Sequence, residues 1–186
     1  MNIPAMIQKL RGCGLLFDPG LTPEEVEQAE REYGIVFPPD LRALLEAALP
    51  RGEKFPNWRD FSERNKRRIR EKLDWPLESL LFDVEYNRYW HADWGERPSD
   101  LNEAKVAASR FYHTNIPKLI PIYSHRYLPE TPHEAENPVF SVWQADVIPY
   151  GEDLKQYFEI EFGGRAYTDL RYEKVKPIVF WRELSE

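Results

Sequence analysis

The sequence predicts an α+β fold: N-terminal helices, then a small, mainly antiparallel sheet, with a C-terminal helix packed on it. Three observations carry this reading. Helical periodicity dominates the chain up to residue 116. Strand-like alternation begins only with KLIPIYS, residues 118–124. One helical pattern, EDLKQYFEIEF at 152–162, follows the strands. At 186 residues the chain suits one domain spanning 1–186 with a real core. Its 16 prolines are scattered, so they mark element ends rather than one linker.

The elements follow in order. In LTPEEVEQAEREYG, Thr22 is a good N-cap, Pro23 suits the first helical position and Glu25 completes a capping box. Val26, Ala29 and Tyr33 recur on one face, and Gly34 is a natural stop. After GIVFPP, Pro39 opens a second helix whose stripe is Leu41, Leu44, Leu45 and Ala48. FSERNKRRIREKLDW reads as a third helix. Its exposed face carries Arg64, Lys66, Arg67, Arg68, Arg70 and Lys72, read as a solvated surface rather than a nucleic-acid platform. WPLESLLFDVEYNRYWHADWGERP reads as short helix mixed with irregular structure. Ser99 or Asp100 caps the next helix, with Leu101, Ala104, Ala108 and Phe111 on one side and Pro117 beyond its end. The strands are KLIPIYS, PVFSVWQ and the short DVIPY. In the second, Phe140 and Val142 face one way and Val139, Ser141 and Trp143 the other. Gly151 breaks the last strand. The amphipathic helix that follows uses Leu154, Tyr157, Phe158 and Glu161, and the apolar tail KPIVFWREL is expected to dock on the body.

Composition limits the function. Aromatics make up 14% of the chain, too many for a disordered segment. A net charge of −7 disfavours broad nucleic-acid binding, whose affinity comes from neutralising phosphates. The same charge suits a basic protein partner. One cysteine, Cys13, rules out an internal disulfide or a Cys-rich zinc site, and it reads as a buried or idle thiol. MNIPAMIQKLRGCG lacks the apolar core of a signal peptide, and no apolar run approaches the ~18 residues of a membrane span. A cytoplasmic location without membrane association is therefore expected.

Motifs for chemistry are scarce. No phosphate-binding loop, dinucleotide fingerprint, His-Glu-x-x-His helix or nucleophile elbow is present. His91 and Asp93 place two metal-ligating types close together. His125 and His133 share one loop region with Glu130, Glu134 and Glu136. Neither set has the fixed spacing of a metal site, so no metal or other cofactor is expected. Ser124 precedes His125, but neighbours at a strand end are expected to point apart. Asp146 reads as a turn residue that bonds backbone amides rather than as a general base. What remains is an aromatic and cationic set: Tyr89, Trp90, Trp94, Arg97, His125, Arg126 and Tyr127. Such residues dominate protein-binding hot spots. They also let half-buried loops pack while keeping polar tips wet. For Arg126 an ion pair with a carboxylate is expected. His125, Arg126 and Tyr127 are expected at the sheet's end near YWHADWGERP, with Tyr127 against a tryptophan.

DPGLTPEEVEQAEREYGIVFPPDLRALLEAAL resembles the opening helical unit of the SUKH superfamily, the Smi/Knr-type domains that include a yeast cell-wall assembly regulator and many bacterial immunity proteins. LLFDVEYN, WGERP, LIPIYSHRYLP, NPVFSVWQADVIPYG and DLKQYF resemble a bacterial branch in order and spacing, so the resemblance covers residues 18–162. It departs where members commonly carry an Asn-Gly turn and this chain has PRGEKFPNW. The resemblance implies an α+β fold, an intracellular location and binding rather than catalysis, often neutralisation of a toxin. It supplies no catalytic residues. A small hydrolase or metal-dependent enzyme built around His125 and Asp146, or a regulatory scaffold, are the alternative readings.

Overall fold

A computed structural model describes residues 2–185. The fold is α+β, with six α-helices and two small antiparallel sheets. Helix α1 (Ile3–Gly12) is not announced by the sequence pattern. Asn2 caps it by accepting from the Ala5 amide, and Met6, Ile7 and Leu10 are buried. Helix α2 (Pro23–Tyr33) has the full capping box: Thr22 accepts from the Glu25 amide, and Glu25 accepts from the Thr22 amide. Gly34 ends it in the left-handed region at φ +61°. Helix α3 (Pro39–Ala47) buries Leu41, Leu44 and Leu45 as its pattern predicts.

Ala48 is buried but not helical. It begins strand β2 (Ala48–Arg51), which pairs with β1 (Leu16–Pro19). Neither strand is legible in sequence, because each is four residues long and contains a proline. The turn out of β1 passes so close to α3 that a Cβ on Gly20 would lie 1.9 Å from the Glu46 carbonyl oxygen. Only glycine fits there, and the Leu21 amide can then donate to the Leu45 carbonyl at 2.8 Å.

The largest correction concerns α4. It runs unbroken from Glu63 to Tyr86, through Pro76, where the sequence predicts one helix up to Trp75 and short helix mixed with irregular structure beyond. Proline cannot donate the helical hydrogen bond to the residue four places earlier, which normally ends or kinks a helix. That earlier residue is Lys72, and its carbonyl instead accepts from the Tyr127 hydroxyl at 2.9 Å. A tertiary contact thus replaces the missing helical bond. Helix α5 (Leu101–Asn115) is capped by Asp100 and packs on α4. Its buried stripe is Ala104, Ala108 and Tyr112. Phe111 is only half-buried and Leu101 is exposed, so the inward face is rotated from the expected one.

The main sheet has the order β3-β4-β5-β6, with β3 (Leu119–Tyr123), β4 (Arg126–Pro129), β5 (Val139–Trp143) and β6 (Asp146–Gly151). β4 replaces what the sequence suggested was a loop. Two-residue turns, Ser124-His125 and Gln144-Ala145, close the hairpins at one end of the sheet. Each turn begins with a non-glycine residue at positive φ, +52° for Ser124 and +58° for Gln144. No Asn-Gly or Gly-x signal announces them.

Both faces of this sheet are covered. Ile120, Ile122, Leu128 and Val139 enter a core with α1, α2, α3 and α6 (Leu154–Glu161). Leu119, Tyr127, Phe140, Val142 and Val147 enter a second core with α4, α5 and the tail. The tail docks as expected: Ile178, Phe180 and Trp181 are buried, and the Trp181 indole donates to the Pro117 carbonyl at 2.8 Å.

Leu44 is fully buried, whereas Arg42 is part-exposed and ion-paired to Glu46 at 2.9 Å. Leu44→Ala should cost about 2–5 kcal/mol in urea unfolding. Arg42→Ala should cost less than about 1 kcal/mol, as for other exposed ion pairs. Equal costs would place the inward face of α3 wrongly.

Candidate functional site

A groove opens where the two hairpin turns meet the first half of α4. It has a volume of about 590 Å³, and its walls include Glu53, Lys54, Arg68, Lys72, Trp75 and His125, with Trp143 at its mouth. Backbone and side-chain bonds fix these walls. The Ser124 amide donates to the Lys54 carbonyl at 3.0 Å, and Lys72 Nζ donates to the Ser124 carbonyl at 3.2 Å. Arg68 donates to the Glu53 carbonyl at 3.0 Å. The Trp75 indole donates to the Val142 carbonyl at 3.3 Å, which sets its ring beside Trp143 with centroids 5.6 Å apart. The His125 ring meets Trp143 edge-on at 6.0 Å. Trp143 itself is 57% exposed. An indole held at both flanks yet open to solvent keeps its large apolar surface available.

Burial is the main cause that lowers the His125 pKa, and the nearby charges of Arg126, Lys54 and Lys72 lower it further. The folded chain therefore disfavours protonated His125. This contribution to stability is present above the ordinary histidine pKa and is lost as pH falls through the depressed value. Lys72 is also lowered, first by burial and then by Arg68.

Contrary to expectation, Ser124 and His125 do touch: Ser124 Oγ lies 3.2 Å from His125 Nδ1. Among the described residues, no carboxylate bonds to the other ring nitrogen to orient the imidazole. Asp146 is exposed at the start of β6, and no hydrogen bond or ion pair joins it to His125. The role expected of Asp146 at the turn falls instead to buried Asp83 of α4, which accepts from the Ala145 amide at 2.5 Å.

The remaining candidate residues separate into two other places. Tyr89, Trp90, Trp94 and Arg97 form a cluster beside the end of α4. Trp94 is buried edge-on to Tyr89 at 5.5 Å and to Trp90 at 5.1 Å. Arg97 lies over Trp90 and donates to the Val84 carbonyl at 2.8 Å, so it closes the C-terminal end of that helix. Arg126 points to the opposite face of the sheet from Tyr127. Its guanidinium sits 3.9 Å from the Tyr150 ring centroid, donates to Ser141 Oγ at 3.0 Å, and has Nε 3.6 Å from Glu161. The expected carboxylate partner of Arg126 is therefore Glu161. Tyr127 lies in the same core as Trp94 and Trp181 and spends its hydroxyl on Lys72. Of the seven, His125 and Tyr127 line the groove. Arg68 and Lys72 read in the sequence as part of a solvated helix face, and nothing local joins the four separate segments that line the groove.

The metal-ligating pairs resolve differently. Glu130 accepts from the Val36 amide and Glu134 pairs with Lys176, so the loop acids near His133 hold the fold. His91, Asp93 and Glu183 do converge, with His91 Nε2 3.3 Å from Glu183. Glu183 arrives from the tail and had no sequence signal. Each of the three could offer one ligand, but His91 Nδ1 already accepts from the Asp93 amide at 3.2 Å. That bond occupies Nδ1, and the 3.3 Å approach of Nε2 to Glu183 holds the tail beside the His91 turn. Cys13, expected buried or idle, is exposed at the end of α1.

No helix among the described residues is long and apolar enough to cross a membrane. No protein-family model, curated protein or solved structure matches this chain.

Arg126 and His125 separate a clamp from a surface. Arg126→Ala strands part-buried Glu161 and should cost about 3–5 kcal/mol. His125→Ala should cost about 1 kcal/mol, the scale of an ordinary substitution. Chemical denaturation of both variants checks this. A larger loss for His125→Ala would reverse the assignment.

Proposed function

We propose that this chain is a non-enzymatic protein-binding module of the immunity type, acting in the cytoplasm to neutralise a toxin by occluding it. The observation that supports this most is Trp143, exposed at the mouth of the groove and flanked by Trp75 and His125. Tryptophans in such settings anchor protein interfaces. Among the described residues no carboxylate orients the His125 imidazole beside Ser124, which favours binding over turnover. The SUKH-like order of motifs in the sequence adds the immunity role. The net charge of −7 suits a basic toxin domain, because complementary charge speeds encounter.

A second reading, a small hydrolase, rests on the 3.2 Å contact between Ser124 and His125. Coexpression with a candidate toxin domain distinguishes the two. Binding predicts that growth is restored, that the two proteins copurify, and that Trp143→Ala weakens the complex about tenfold or more. Ser124→Ala should retain rescue. Rescue that vanishes in Ser124→Ala while the complex keeps its affinity would favour the hydrolase.

A further inference from the structure

The charges around the groove are not those of the whole protein. Arg70 and Lys66 lie on the same helix and are paired with Glu32, Lys66 also with Glu63 at 2.5 Å. Lys54, Arg68 and Lys72 line the groove, and among the described residues none has a carboxylate within 4.0 Å. Their bonds go to carbonyl oxygens: Arg68 to Glu53, and Lys72 to Ser124. Lys54 lies over the Tyr123 ring at 5.6 Å. Carbonyls satisfy donors but do not neutralise charge. Glu53 and Glu71 also line the groove, but they neutralise only part of it. Lys72 is half-buried, so its ammonium has lost part of its hydration without gaining a counter-charge.

We infer that the groove receives an acidic peptide segment of the protein partner, with carboxylates on Lys54, Arg68 and Lys72 and an apolar side chain against Trp143 and Trp75. The inference rests on the protein-binding reading and names the chemistry of its contact. The sign is opposite to that expected from net charge alone. The acidic remainder of the surface speeds encounter with a basic domain, and a local patch of reversed sign fixes its register. A nucleic acid strand would also offer anions and stacking rings. It fits less well, because phosphates continuing past the short groove meet a chain of net charge −7.

The test needs no toxin. A short fluorescent peptide of glutamates around one phenylalanine is titrated into the intact chain at low and moderate salt. Its lysine twin and an oligothymidylate of similar length are titrated in parallel. The inference expects the acidic peptide to bind best and salt to weaken it. Lys54→Gln with Arg68→Gln should weaken it about tenfold, as should Trp143→Ala. Arg64→Gln with Arg67→Gln makes the same charge change on exposed positions of the same helix outside the groove, and should leave affinity unchanged. Lys54, Arg68 and Trp143 are exposed and give up the Glu53 carbonyl bond and ring contacts to Tyr123, Trp75 and His125, so melting temperatures of these variants should stay within about 5 °C of the parent. Equal losses in the two double variants would overturn the inference, as would absence of binding by the acidic peptide. Preference for the lysine twin or for the oligothymidylate would do the same. Toxin rescue without peptide binding leaves the immunity reading standing and removes the groove. Peptide binding without rescue does the reverse.

Discussion

A proline in the middle of a long helix leaves one carbonyl without its donor. Here the proline is Pro76, the carbonyl is that of Lys72, and the replacement donor is the hydroxyl of Tyr127 at 2.9 Å. The bond is shielded from solvent on two sides, since Tyr127 is 1% exposed and Pro76 is buried. In such surroundings an unmade hydrogen bond is more costly than in water, and a made one is correspondingly specific. The bond requires β4 to lie against the first half of α4. It also requires Tyr127 to face the α4 side of the sheet, which fixes the phase of the whole strand. Arg126 must then face the other side, and there it finds Ser141, Tyr150 and Glu161.

The same helix face holds both hairpin turns. Lys72 Nζ reaches the Ser124 carbonyl, the Trp75 indole reaches Val142, and Asp83 takes the Ala145 amide. Residues 72 and 83 stand about three helical turns apart, so one rigid rod spans the turn end of the sheet. This is how the groove acquires fixed walls. Two turns with strained first residues, each held by a helix, place Trp143, Trp75 and His125 together. Rigidity of this kind suits a binding surface, because less order must be imposed on contact with a partner.

Much of the scaffold is legible in the sequence. Thr22, Pro23, Glu25 and Gly34 mark both ends of α2, since capping chemistry is local. Leu41, Leu44 and Leu45 mark the buried face of α3, and the alternation in β5 places Phe140 and Val142 apart from Val139. What the sequence conceals depends on contacts from far along the chain. Pro76 reads as a helix end unless Tyr127 is known to stand beside it. The turns at Ser124 and Gln144 carry no glycine, so β4 reads as a loop. The groove joins residues between Glu53 and Trp143. Its cations look like an ordinary solvated face, because nothing local distinguishes Arg68 from Arg70, whose partner Glu32 lies in α2.

A double-mutant cycle between Pro76 and Tyr127, read by urea unfolding, tests the central interaction most directly. With Pro76 present, Tyr127→Phe strands the Lys72 carbonyl and should cost about 1–3 kcal/mol. In the Pro76→Ala background the new amide at position 76 can donate to that carbonyl. The cost of Tyr127→Phe should then fall, giving a coupling of about 0.5 kcal/mol or more. An unchanged cost in the two backgrounds would show that the hydroxyl does not replace the missing helical bond, and the account of how α4 sets the sheet would fail.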